Sequence, residues 1–280
     1  MRNCRIYSLY SSSGGNSFCF EIGDRRILID AGKNARTLCR ALSEIGSDIS
    51  AIDAIFVTHE HCDHISALET ISKSRSIPIH MTEESAKKLD GTPDSAIHKN
   101  LVRHDTEYEV DMGSFRIRSF RTPHDSLMSV GYRIDIRIGE NPTSVGIATD
   151  VGYVTDEISA ALEGCEAVLL ESNYDEDMLL SGPYPYELKK RIRSQRGHLS
   201  NKESAEFAAT LAEKGTKAFM TVHLSKENNS ADIVLDEYTS AIADPAVAIT
   251  VASPDCPTEM SFSNEVETYD FCENNSCGDS

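Results

Sequence analysis

The segment THEHCDH, residues 58 to 64, sets His59, His61, Asp63 and His64 within six positions. Imidazole and carboxylate donors together suit zinc, manganese or iron. Residues that leave a strand in a tight turn can send alternate side chains toward two neighbouring ions. A hydroxide between two divalent ions about 3.5–4 Å apart is a nucleophile at neutral pH, because the ions lower the pKa of bound water. The expected chemistry is hydrolysis, with a phosphoryl or carbonyl oxygen polarised by the same ions. Cys62 lies among these ligands, but alternation within the turn points its thiol away from them.

Such a cluster has to be presented by strand ends. Residues 51 to 59, AIDAIFVTH, read as an apolar strand that runs directly into the cluster. Before it, residues 4 to 10 and 17 to 22 are short apolar, aromatic runs joined by SSSGGN, and RRILIDAG reads as a strand ending at Asp30. Ala35, Leu38, Cys39, Leu42 and Ile45 recur at helical spacing. After a helix near 65 to 74, IPIHM reads as a strand, and residues 83 to 107 as a polar, partly helical segment. Strands return at FRIRSFRTPH, SVGYRIDIRI, SVGIATDVG and EAVLLES, the last ending at Glu171. A helix over 201 to 214 then precedes a strand over 217 to 223 that ends at His223. Strands and helices alternate in two runs, about 1 to 80 and 108 to 253, which suggests a duplicated α/β half-unit.

A chain of 280 residues with 40% hydrophobic content can bury a substantial core. One domain over residues 1–257 is expected, followed by an acidic, Asn/Ser-rich tail over 258–280 whose composition predicts disorder. No stretch approaches the ~20 apolar residues of a membrane helix, and the N-terminus is too polar for a signal-peptide core. The expectation is a cytoplasmic protein without a membrane partner. The eight cysteines form no CxxC pair, which fits reduced thiols better than a disulfide framework. A formal charge of −18 argues against indiscriminate nucleic-acid binding. Yet residues 138 to 188 hold eleven Asp and Glu and residues 254 to 280 hold seven, with no Lys or Arg in either block. The remainder is near neutral and leaves room for a local basic surface.

HxHxDH is the signature of the metallo-β-lactamase superfamily, and the chain resembles that superfamily over about residues 4 to 230. The resemblance implies a four-layered αββα sandwich with two divalent metal ions, zinc or manganese with iron as a further option, at one edge of its sheets. It implies that His59, His61 and His124 (in TPHDS) hold one ion and that Asp63, His64 and His223 (in TVHLS) hold the other, with Asp150 (in ATDVG) bridging them. Residues 197 to 225, GHLSNKESAEFAATLAEKGTKAFMTVHLS, further resemble the segment before the last metal ligand of ribonuclease Z. That likeness makes His198 a catalytic histidine oriented by Glu171, and a carboxylate-oriented imidazolium suits a general acid worth ~10²–10⁴-fold. A helix-start histidine beside a capping Ser200 is the bland alternative. With Asp63 these are the candidate catalytic residues. SSSGGNS, THEHCDH, ESNYDEDML followed by GPYPYELKKRI, and GHLSN together resemble a narrower branch, the YycJ (WalJ) enzymes, described as 5′-to-3′ exonucleases on double-stranded DNA. Cys62, where a small hydroxylated residue is more usual, and the acidic tail depart from that pattern.

Phosphate substrates also have a reading independent of family. Lys189, Arg193 and Arg196 fall at i, i+4 and i+7 and would share a face if YPYELKKRIRSQRG is helical, a stripe suited to backbone phosphates. Tyr184 and Tyr186 could stack on a terminal base. An ordinary solvated helix face fits the same pattern. The turn carrying Ser13, Gly14, Gly15 and Asn16 reads equally as a phosphate cradle or a plain strand connection. The expected partner is a nucleic acid, DNA favoured over RNA. A small-molecule hydrolase for thioesters, lactones or cyclic phosphodiesters is the alternative; a noncatalytic metal sensor is disfavoured because every expected ligand is present.

Overall fold

A computed structural model of the chain describes residues 4–91, 94–137 and 142–260. The first half of the chain supplies β1 (Cys4–Ser12), β2 (Gly15–Ile22), β3 (Arg25–Ile29), β4 (Ala54–Phe56), β5 (Ile79–Thr82) and β6 (Leu101–His104). The second supplies β7 (Glu109–Asp111), β8 (Phe115–Thr122), β9 (Ser129–Ile136), β10 (Thr143–Ala148), β11 (Ala167–Glu171), β12 (Ala218–Val222) and β13 (Ala248–Val251), and β14 (Thr258–Glu259) returns to the first sheet. The sheet orders are β14-β1-β2-β3-β4-β5-β6 and β13-β12-β11-β10-β9-β8-β7. In each sheet three antiparallel pairings are followed by three parallel ones. The two halves therefore repeat one pattern of pairing.

Strand periodicity builds the layers. Ala167 and Leu169 of β11 enter the core between the sheets, whereas Val168 and Leu170 face outward against helices. Ile27 and Ile29 of β3 likewise point inward while Leu28 points out. Parallel strands buried on both faces read as continuous apolar runs, which is why IFV and AVLL carry no polar alternation. The helix Ala35–Glu44 lays Leu38 and Leu42 on the outer face of the first sheet. On the second, the helix Asn201–Glu213 lays down Ala208 and Leu211. Each fully buried Leu contributes roughly 1.5–3 kcal/mol, and the result is the αββα sandwich.

Several local expectations need correction. The expected helix near 65 to 74 is two short helices, Cys62–Ile65 and Leu68–Ser74, and the polar segment 83 to 107 contains β6, whose residues are only partly buried and so lack an apolar signature. The folded domain does not stop at residue 257. Tyr7 and Ser8 pair with Glu259 and Thr258, and the Met260 side chain is buried against the inter-sheet core. The rest of the proposed tail, 261–280, lies outside the described residues. Cys4, Cys19, Cys39, Cys62 and Cys165 are free thiols, in line with the expected lack of a disulfide framework, whereas Cys256 is disulfide-bonded. No helix among the described residues is long and apolar enough to cross a membrane.

Candidate metal centre

The C-terminal ends of β3, β4, β10, β11 and β12 converge on one edge of the sandwich, where Asp30, Thr58, His59, Asp150, Glu171 and His223 leave their strands. Three of these residues turn sharply: Asp30, Asp150 and His223 have φ of 62°, 58° and 58°. Non-glycine residues in this region cost of order 1–3 kcal/mol each, so their surroundings must hold them. For His223 the hold is visible. Its N–H donates to Ser11 Oγ at 2.7 Å and its carbonyl accepts from Asn173 Nδ2 at 2.8 Å.

The seven side chains expected to hold metal come together. His59, His61 and His124 form one group, and Asp63, His64 and His223 another, each with potential donor atoms within 4.8 Å of one another. Asp150 lies between the groups. Its Oδ1 is 3.6 Å from His124 Nε2 and 3.2 Å from His223 Nδ1, and its Oδ2 is 3.3 Å from His64 Nε2. His59 is fully buried, with Nδ1 beside Thr58 Oγ1 at 3.0 Å and Nε2 without any hydrogen-bond partner. An orphaned buried ring nitrogen is costly unless a cation takes its lone pair. This donor set of imidazoles and carboxylates fits divalent ions.

Charges inside the cluster are strongly perturbed. Burial pushes His59 well below the ordinary histidine range. Burial opposes charge on His64 too, but Asp30, Asp150 and Asp63 outweigh it and hold that imidazole well above its usual value. For His223 the same contest, won by Asp150 and Glu171, raises the imidazole to about 10. A divalent ion would displace these protons, since metal ligands bind deprotonated.

Asp30 has no place among the ligands expected from the sequence, yet it organises them. It is fully buried, its Oδ2 lies 2.7 Å from His64 Nδ1, and its carboxylate accepts from the Thr58 N–H at 2.8 Å and Thr58 Oγ1 at 2.9 Å. A carboxylate behind a ligand imidazole fixes its tautomer and ring plane. The only sign of it in the sequence is ILIDAG, an acid at the end of an apolar strand. Asp125 is likewise absent from the expected set. Its Oδ1 is 3.3 Å from His124 Nε2, and its Oδ2 pairs with Arg191 Nε at 2.5 Å.

His198 and Glu171 pair as expected, His198 Nδ1 lying 2.7 Å from Glu171 Oε1. Burial would raise the Glu171 carboxyl, but His198 and His223 bring it down to about 2. Glu171 also lies 3.1 Å from His223 Nδ1 and accepts from the Val151 N–H at 2.8 Å, so it supports two imidazoles and a strand end. Two glycines allow the approach of the loop that carries His198: a Cβ on Gly152 would meet Gln195 O at 2.2 Å, and one on Gly197 would meet Ile192 O at 2.0 Å.

The basic run is assembled differently from its expected stripe. The helix covers only Tyr186–Ile192, so Arg193 and Arg196 lie beyond it and the i, i+4, i+7 face does not form. Lys189 Nζ donates to Leu180 O and Gly182 O at 2.7 and 2.8 Å, Arg193 pairs with Glu176 at 2.5 Å, and Arg196 donates to His124 O and Ser126 O at 3.0 and 3.2 Å. Gly197 O contacts His124 Nδ1 at 3.1 Å. This segment thus braces the His124 loop. Tyr184 packs against Tyr174, Leu179 and Ile192, while Tyr186 is exposed. Ser13 is exposed at the turn, and Asn16 is buried with Nδ2 3.2 Å from His64 Nε2 and 3.4 Å from Asp63 Oδ2. Cys62 is exposed and outside both donor groups. It lines a groove of about 1060 Å³ together with His61, Asp125, Lys87 and Lys88. His80 and His104 are a separate pair, hydrogen-bonded at 2.9 Å.

A family model described as "Beta-lactamase superfamily domain" matches residues 25–224. The chain belongs to this superfamily. It is 30% identical over 260 residues to exodeoxyribonuclease WalJ of Streptococcus pneumoniae, covering 90% of this chain and 95% of that protein. It is 27% identical over 261 residues to exodeoxyribonuclease YycJ of Bacillus anthracis, covering 91% and 97%. Among solved structures, the metallo-β-lactamase fold protein YhfI of Bacillus subtilis superposes with a TM-score of 0.70 at 17% identity over 92% of this chain and 99% of that one. Human tRNase Z, short form, superposes at 0.63 and 17% identity, over 92% and 99%. At those identities the two structures establish the fold, the metallo-β-lactamase fold. Superfamily membership and the sequence relatives make the chain a metal-dependent hydrolase.

Proposed function

We propose that the chain is a dinuclear phosphodiesterase, an exonuclease that degrades double-stranded DNA from the 5′ end, with zinc or manganese as its ions and iron as a further option. His59, His61 and His124 hold one ion, Asp63, His64 and His223 the other, and Asp150 bridges them. Ions held by these residues would supply a nucleophilic hydroxide at neutral pH and polarise the phosphoryl oxygen. The observation that carries the reading is the Glu171 and His198 pair. Glu171 is fully buried while the His198 side chain keeps 17% exposure, so the imidazole faces the mouth of the cluster with its Nδ1 anchored at 2.7 Å. An anchored imidazolium there donates a proton to the departing oxygen, which phosphodiester cleavage needs and thioester cleavage does not. Asn16, beside Asp63 and His64, offers an amide donor to a phosphate oxygen. The groove past His61 takes the strand, with Lys87 and Lys88 meeting its backbone.

The relatives named exodeoxyribonucleases support the substrate class, and their match spans nearly the whole chain. The test incubates metal-reconstituted protein with 5′- and 3′-labelled duplex DNA, single strands and RNA. Stepwise ladders from the 5′ end of duplex are expected. Turnover of a thioester or lactone with every nucleic acid left intact would replace this reading with the small-molecule hydrolase.

A further inference from the structure

The seven expected ligands do not account for every donor that faces the first group of histidines. Asp125 follows His124 in the loop after β8, and its Oδ1 is buried without a hydrogen-bond partner. That oxygen lies 3.3 Å from His124 Nε2 and 4.0 Å from His61 Nε2. The His124 ring is fixed by Gly197 O, which accepts from Nδ1 at 3.1 Å. With the proton on Nδ1, Nε2 presents a lone pair. It faces two carboxylates, Asp125 Oδ1 at 3.3 Å and Asp150 Oδ1 at 3.6 Å, and three electron-rich atoms at such distances repel unless a cation lies among them. Two ligand atoms ~2.1 Å from one ion at a tetrahedral angle are about 3.4 Å apart. The other oxygen of Asp125 is pinned by Arg191 Nε at 2.5 Å, which stops the carboxylate from rotating into the groove.

We propose that Asp125 is an additional protein ligand of the ion held by His59, His61 and His124, and that Arg191 is the positioning residue that locks it in place. The inference rests on the reading that these histidines hold an ion. It assigns part of the basic run a task at the metal rather than on a phosphate. The first site then carries three imidazoles and its own carboxylate besides the shared Asp150, while the second carries two imidazoles and Asp63.

The test measures Zn²⁺ affinity by competition with a chromophoric chelator, and the visible spectrum of Co²⁺-loaded protein, for wild type, Asp125→Asn and Arg191→Met. One of the two sites in Asp125→Asn should lose roughly 10–100-fold in affinity, the range for perturbed metal surroundings. Its Co²⁺ bands should shift, and Arg191→Met should show a smaller loss at the same site. Wild-type affinity and an unchanged Co²⁺ spectrum in Asp125→Asn would overturn the proposal. So would an equal fall in the melting temperature of the metal-free variant, because the carboxylate would then be holding the loop and not an ion. Wild-type protein that binds two ions but cuts no nucleic acid would sink the nuclease reading and leave this assignment standing.

Discussion

Two carboxylate–imidazole pairs sit about the same metal centre at the same 2.7 Å separation, and burial makes them different devices. Asp30 and His64 are both fully buried, and the remaining ring nitrogen of His64 faces Asp63, Asp150 and Asn16 inside the cluster. Glu171 is as buried as Asp30, but its partner His198 keeps 17% of its side chain exposed. On the function proposed above, the first pair orients a metal ligand, and the second orients a group that exchanges protons with substrate and solvent. An acid–histidine contact alone therefore does not identify a catalytic dyad; the exposure of the imidazole separates the two roles.

The comparison breaks most readily at the buried pair. Asp30→Ala leaves His64 Nδ1, the Thr58 N–H and the Thr58 hydroxyl without their shared acceptor. Removing one partner of a buried pair costs about 3–5 kcal/mol, so the variant should unfold at markedly lower denaturant and hold fewer than two ions per chain by elemental analysis. Wild-type stability together with full metal content would show that Asp30 does not organise the second site. Asp150→Ala should be nearly as damaging to metal content, because one carboxylate approaches donors of both groups. Retention of two ions in that variant would exclude the bridging role.

At the exposed pair the effect moves from metal to rate. His198→Ala should slow hydrolysis of an unactivated phosphodiester by roughly 10²–10⁴-fold with metal content unchanged. A p-nitrophenolate leaving group should recover part of the rate, since it needs less protonation. Glu171→Gln is not equivalent, because Glu171 also approaches His223 Nδ1 at 3.1 Å; it should slow the reaction and weaken metal binding together. Equal kinetics and equal metal content in both variants would merge two roles that the geometry keeps apart.

The contrast between buried and exposed groups also explains what the sequence made legible. His59, His61, Asp63, His64, His124, Asp150 and His223 each end or closely follow a strand, so strand periodicity together with family resemblance brings them to one place. Asp30 also ends such a strand, but one acid after ILI carries no spacing pattern, and its task depends on where Thr58 and His64 arrive from 28 and 34 residues away. The run LKKRIRSQRG misleads for the opposite reason. Its charges match a helical stripe, but the helix stops at Ile192, and the cations then find carbonyls and acids across the fold. Short-range pattern cannot reveal a long-range partner.

The smallest expected effect concerns this run and tests where duplex DNA lies. For B-DNA, the slope of log K against log salt falls by about 0.9 for every phosphate that the protein ceases to neutralise. Lys189 is held by two carbonyls and Arg193 by Glu176, so Lys189→Met with Arg193→Met should change the slope by less than the share of a single phosphate. Arg196 is left in place because it braces the His124 and Ser126 carbonyls, and its removal would disturb the metal loop as well as any phosphate. Lys87 and Lys88 line the same groove as His61, with Lys87 paired to the exposed Glu84 on its own helix turn. An exposed pair of this kind is weak, and a phosphate readily replaces Glu84 in it. Neutralising both lysines should therefore reduce the slope by up to about 1.8 while hydrolysis of a small phosphodiester stays near wild type. If instead the Lys189 and Arg193 substitutions produced that whole reduction and the Lys87 and Lys88 substitutions none, the strand would run over the short helix Tyr186–Ile192 and not along the groove at His61.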